Sequence, residues 1–103
     1  MDVTLLYIDD CPSWTVADGR LVEALRVVGL DPALVERRLV ATDEEAQRTR
    51  FIGSPTVLID GIDPFRDDDD GPFGLSCRVY RTESGLAGSP TLDALVEALR
   101  ART

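Results

Sequence analysis

The sequence predicts one α/β domain over residues 1–103, with the element order β-α-β-α-β-β-α and a mixed four-stranded sheet flanked by helices. Three observations carry that expectation. Val3 to Ile8 is a continuous apolar and β-branched run, broken at Asp9 to Pro12 and followed at once by a helical pattern. Such a run marks a strand buried on both faces. Thr42-Asp43-Glu44-Glu45 has the form of a capping box, in which a threonine caps the backbone and a glutamate reaches back. Near the end, Leu92, Leu95, Val96 and Leu99 recur at i, i+3, i+4 and i+7, the stripe of an amphipathic helix.

The elements follow in order. From Ser13 to Val28, Ala17, Leu21, Ala24, Leu25 and Val28 recur at helical spacing, and Gly29 is a natural stop. Ala33 to Val40 reads as the second strand, with a weaker pattern at Leu34, Arg37 and Arg38. The capping box opens a short helix reaching about Arg50. Thr56 to Asp60 is the third strand and Cys77 to Arg81 the fourth. Ser89-Pro90 opens the last helix, with Pro90 suited to its first position. Between the last two strands lies an acidic insertion containing Pro and Gly, at about 62–76. Loops of that length tend to be functional or mobile. Its Asp67-Asp68-Asp69-Asp70 run does not match the spacing of an EF-hand, so a solvated acidic loop is expected and no metal ligand is assigned.

Composition narrows the function. The chain has 103 residues, 44% of them hydrophobic, and a net charge of −8 from 19 acidic and 11 basic residues. A deficit of cations argues against nucleic acid and against an anionic membrane surface. No apolar stretch approaches the ~20 residues of a membrane helix, and the N-terminus lacks the cations of a secretory signal. A cytoplasmic location is therefore expected. All basic residues are arginine, which with the Ala, Val, Leu and Asp content suggests a bacterial, GC-rich source. There is no histidine, which excludes Cys-His and Ser-His catalysis and imidazole zinc sites. Cys11 and Cys77 are the two cysteines. They read as reactive or buried thiols rather than a structural staple, and no cofactor is called for.

Cys11 sits where the first strand gives way to a helix. Unpaired N–H groups and the helix dipole favour a thiolate there, and Pro12 fits the first helical turn. Asp9 and Asp10 oppose the effect by their charge. Some forty residues on, Gly53-Ser54-Pro55-Thr56 leads straight into the third strand. The pair of segments resembles the thioredoxin superfamily, in which a thiol at a strand-to-helix junction faces a cis-proline loop. That resemblance implies a cis bond at Ser54-Pro55. It implies a nucleophilic Cys11, and a substrate surface that includes Pro12, Trp14, Ser54, Pro55 and Thr56. Trp14 stands where the family's second cysteine would be, and a large apolar lid is the role favoured for it. The chemistry implied is thiol–disulfide exchange with a protein or a low-molecular-weight thiol or disulfide. It would proceed through an external thiol, a monothiol route, or Cys77 as resolving partner.

A narrower likeness attaches to the last third. Leu75-Ser76-Cys77-Arg78-Val79-Tyr80, followed by Ser89-Pro90-Thr91 opening a helix, is similar to the end of the organomercurial (alkylmercury) lyases. That family has a thioredoxin-like portion and uses two cysteines to bind mercury. The resemblance implies Cys11 and Cys77 as a pair for a soft metal such as Hg(II). The family's proton-relaying aspartate falls on Trp14, leaving Asp10 or Asp18 as substitutes. A third reading is a non-enzymatic interaction module whose thiols are inert. Simple topology bears on the pairing. In a plain hairpin, five residues at ~3.3 Å each place Cys77 some ~15 Å from Cys11, whereas a disulfide needs Cα atoms within ~7 Å. The 62–76 insertion is long enough to fold the chain back, so the pairing stays open.

Overall fold

A computed structural model describes residues 1–66 and 73–102. The Asp67–Asp70 run lies outside the described residues. The first strand, β1 (Val3–Tyr7), is central in a sheet with β2 (Val35–Leu39) and β3 (Thr56–Ile59), in the order β2-β1-β3. β1 runs parallel to β2, with Val3 opposite Val35, and antiparallel to β3, with Val3 opposite Ile59. A central strand must bury both faces, and its side chains alternate between them. Val3 and Leu5 point into one core, where α1 (Ser13–Val27) supplies Ala17, Leu21, Ala24 and Leu25. The same core takes Val57 and Ile59 from β3 and, from the last helix at Leu92–Arg100, Leu95, Val96 and Leu99. Leu6 and Ile8 point the other way, into a second core with Val40, Phe51, Cys11 and Ala46 of α2 (Asp43–Arg48). The last helix is α3.

Local chemistry sets the ends of these elements. Thr42 caps α2, its side chain accepting from the Glu45 N–H at 3.1 Å. Thr91 caps α3 in the same way, accepting from Ala94 N–H at 3.1 Å. Pro90 therefore precedes the cap instead of occupying the first helical position. Pro32–Leu34 forms a 3-10 turn held by Asp31, whose carboxylate accepts from Ala33 N–H at 2.9 Å. Ala33 and Leu34 are thereby removed from the second strand, which starts at Val35. Among the described residues no helix is long and apolar enough to cross a membrane.

Among the described residues the architecture is mixed α/β, with three α-helices and two small sheets. The expected single four-stranded sheet does not form among them. Asp60 and Gly61 both have positive φ, 53° and 80°, the geometry of the tightest hairpin turn. The hairpin closes one pair, Ile59 with Ile62. Two residues later comes Pro64, which has no N–H to continue a ladder. The strand expected at Cys77–Arg81 is instead divided. Tyr80–Thr82, β4, pairs with Gly85–Ala87, β5, in its own two-stranded antiparallel sheet. Residues 76–78 meet the chain just before β3 through a single parallel bridge between Ser54 and Cys77.

Candidate functional site

That parallel bridge decides where the second thiol lies. The Ser54 N–H donates to the Ser76 carbonyl at 2.7 Å, and the Arg78 N–H donates to the Ser54 carbonyl at 2.9 Å. Cys77 is thus held beside the start of β3, at the Pro55 end, and not ~15 Å away as a plain hairpin requires. The premise of that distance, an antiparallel return, does not hold here.

Cys11 lies on the other side of the same serine. The turn after β1 closes with Cys11 N–H donating to Ile8 carbonyl at 3.4 Å, and α1 starts two residues later. The Cys11 thiol is 1% exposed and donates to the Ser54 carbonyl at 3.5 Å. Cys77 is exposed, and no disulfide joins the two. Its thiol hydrogen-bonds to Cys11, and that bond is the main reason it holds its proton above the ordinary thiol range. Burial adds to the rise, as do the negative charges of Cys11 and Asp10. The structure therefore lines up Cys77, Cys11 and the Ser54 carbonyl.

The loop between the thiols is tied down atom by atom. The Ser54-Pro55 bond is cis, as the family resemblance led one to expect. The Ser54 hydroxyl accepts from the Ile8 N–H at 3.1 Å. Thr56 turns its hydroxyl back to the Gly53 carbonyl at 2.6 Å, and the buried Tyr80 hydroxyl donates to the Pro55 carbonyl. Pro12 occupies the cap position of α1. Trp14 stacks on Tyr7 with ring centroids 4.2 Å apart and packs on the α1–α3 core, as a lid would. Of the two aspartates weighed as proton carriers, Asp18 is committed to Arg37 at 2.6 Å. Asp10 is the one whose charge reaches Cys77.

Two residues that place Cys77 escape a reading of the sequence. Strand alternation in Cys77-Arg78-Val79-Tyr80 gives no reason to bury an arginine beside an exposed valine. Arg78 is nevertheless 7% exposed and Val79 61%. The guanidinium pairs with Asp63 at 2.6 Å, donates to the Phe65 carbonyl at 2.7 Å and lies 4.5 Å above the Tyr80 ring. The second residue is Gly53, where an added Cβ would come within 2.8 Å of Arg78 Cβ and 3.0 Å of its Cα. Only a glycine lets the two backbones approach. Gly53→Ala is expected to cost about 1–3 kcal/mol, the range for an overpacked interior, and to loosen segment 76–78. Urea unfolding gives the first. Faster exchange of the Arg78 amide, checked by NMR, gives the second.

The raised proton affinity of Cys77 also has a measurable sign. Alkylation of Cys77 by iodoacetamide should titrate above the ordinary thiol range, because the hydrogen bond to Cys11 must be broken. Cys11→Ala removes that bond and its charge, so the titration of Cys77 should move down and alkylation near neutral pH should speed up. For stability, a raised folded-state value contributes fully below the unfolded thiol's pKa and is lost as pH rises through the folded one. That contribution should disappear on the alkaline side in wild type and be smaller in Cys11→Ala, where burial and the Asp10 charge still act.

No family model, no curated protein and no solved structure matches this chain.

Proposed function

We propose that this protein is a thioredoxin-like thiol–disulfide oxidoreductase whose working couple is Cys11 and Cys77. The observation that carries the reading is that Ser54 holds both cysteines, Cys11 through its thiol and Cys77 through the backbone bridge. Support also comes from the β-α-β-α-β order with a closing helix and from the cis bond at Ser54-Pro55. Cys77 supplies the second thiol that Trp14 displaces from the position three after Cys11.

Exposure divides the work. Cys77 is the sulfur that an incoming disulfide can reach, while Cys11 is covered. In oxidation by a disulfide, the Cys77 thiolate attacks one substrate sulfur, the substrate S–S bond breaks, and the first substrate thiol leaves with a proton. Cys11 is then the nucleophile of the second step. Its thiolate attacks Cys77 Sγ, the mixed disulfide breaks, and the second substrate thiol leaves. The protein ends with one disulfide and two fewer hydrogens. The reverse sequence reduces the protein. The raised pKa of Cys77 makes the first step base-dependent.

The test is mass spectrometry of reduced protein mixed with a small disulfide. Wild type should lose two hydrogens, with both cysteines in one linked peptide pair. Cys11→Ser should stop at the Cys77 mixed disulfide, and Cys77→Ser should react slowly because Cys11 is buried. Cys11–Cys77 disulfide formation no faster than in unfolded protein would favour the inert interaction module.

One observation favours a second reading. Two thiols with the Asp10 carboxylate acting on one of them form a donor pair suited to a soft metal such as mercury as substrate. An organomercurial-lyase-like reaction would break the carbon–mercury bond, leave mercury on both sulfurs and hand the carbon a proton that a thiol gives up and Asp10 relays, the other thiol proton going to solvent. It requires hydrocarbon release from phenylmercury that is lost in Asp10→Asn. Release that survives in that variant would sink it.

A further inference from the structure

Resting on that redox reading, we infer that the substrate is a low-molecular-weight disulfide and not an extended polypeptide. A polypeptide reaches a site at a strand end by adding its backbone to a free N–H and C=O beside the reacting atom, and those two hydrogen bonds supply the affinity. In this protein the groups in question belong to Ser54, and both are consumed by the protein's own chain. The Ser54 N–H is taken by the Ser76 carbonyl, and its carbonyl accepts both the Arg78 N–H and the Cys11 thiol. The next carbonyl, that of Pro55, is taken by Tyr80. Segment 76–78 thus occupies the lane a substrate strand would use, with Cys77 standing where a substrate cysteine would stand.

The arrangement is built, not incidental. Gly53 lets Arg78 approach, and the buried Arg78–Asp63 pair pins the segment from behind. What remains open is a cleft of about 280 Å³ that shares Ile8 and Asp10 with the thiol site and is otherwise lined by Asp9, Leu39, Val40 and Leu75, among others. That volume is just below the usual range of ligand pockets, which starts at about 300 Å³. Leu75 comes from the residues just before Cys77, so a small molecule in the cleft lies against the segment that carries the exposed sulfur.

The experiment compares two substrates on the wild-type reduced protein. One is cystamine; the other is a disulfide of an unstructured neutral peptide about eight residues long, long enough to pair as a strand. Each rate of Cys11–Cys77 disulfide formation is divided by the same disulfide's rate with free N-acetylcysteine. The normalised peptide rate should not exceed that of cystamine, because the two backbone hydrogen bonds that would favour a peptide, together worth about tenfold or more, are unavailable. A peptide rate above that of cystamine would mean that a strand docks on the outer side of Cys77, and overturns the inference while leaving the thiol couple in place. If neither disulfide links Cys11 to Cys77, the redox reading fails and the inference with it.

Discussion

Arg78→Leu is expected to lower stability by about 3–5 kcal/mol, the usual cost of breaking a buried ion pair from one side. The reason is Asp63, whose carboxyl would be left without its partner in a nearly water-free place. Its partner guanidinium is 6% exposed and its own side chain 7%. The loss would be a large share of a domain's total stability of about 5–15 kcal/mol, so the variant should still fold at low temperature. Urea unfolding of the single variant against the double variant Arg78→Leu with Asp63→Leu separates the causes. Replacing both partners removes the unpaired charge, and the double variant should regain most of the loss. A single variant as stable as wild type would mean that the pair is solvated in solution. The same variant reports on the site, because Arg78 holds the segment that carries Cys77. With that hold weakened, Cys77 should leave Cys11 and lose its raised pKa.

Oxidation should act in the opposite direction. A Cys11–Cys77 disulfide closes a loop of roughly 65 residues, and chain-entropy arguments give about 4 kcal/mol for a loop of that length. For a domain of this size that is about 15 °C or more in melting temperature. Calorimetry of oxidised against reduced protein measures it directly, and Cys77→Ser should show no difference between the two conditions. A gain far below this would mean that the segment must distort to bring the sulfurs into bonding geometry. Both cysteines are already held against Ser54 in the reduced state, which argues for little distortion.

The parts of this structure that could be read from the sequence are those governed by local rules. The apolar run at Val3, the period of α1, the Thr42 cap and the stripe of α3 each depend on neighbours within a few residues, and each is found where expected. Cys11 at the strand-to-helix junction belongs to the same class, whereas the cis bond at Ser54-Pro55 was implied only by the family resemblance. The placement of Cys77 does not. A hairpin was the economical expectation, and Pro64 ends that hairpin after one pair. The inverted burial of Arg78 and Val79 depends on Asp63, fifteen positions earlier, a partner that no local pattern announces. Gly53 gave no signal either, because its role is to leave room for a backbone far away in sequence.

The bonds around Ser54 have a further consequence, in the order of events during synthesis. They join residues 43 and 46 positions apart, contacts that form only after long stretches of chain have been closed into loops. A chain grown as far as Gly53 carries Cys11 without the proline loop that will cover it. At about 5–20 residues per second, roughly 3–13 s pass between the making of Cys11 and of Cys77. Throughout that interval Cys11 is a lone thiol on an unfinished chain, with no second thiol to resolve a mixed disulfide. Folding then buries it and leaves Cys77 as the exposed sulfur.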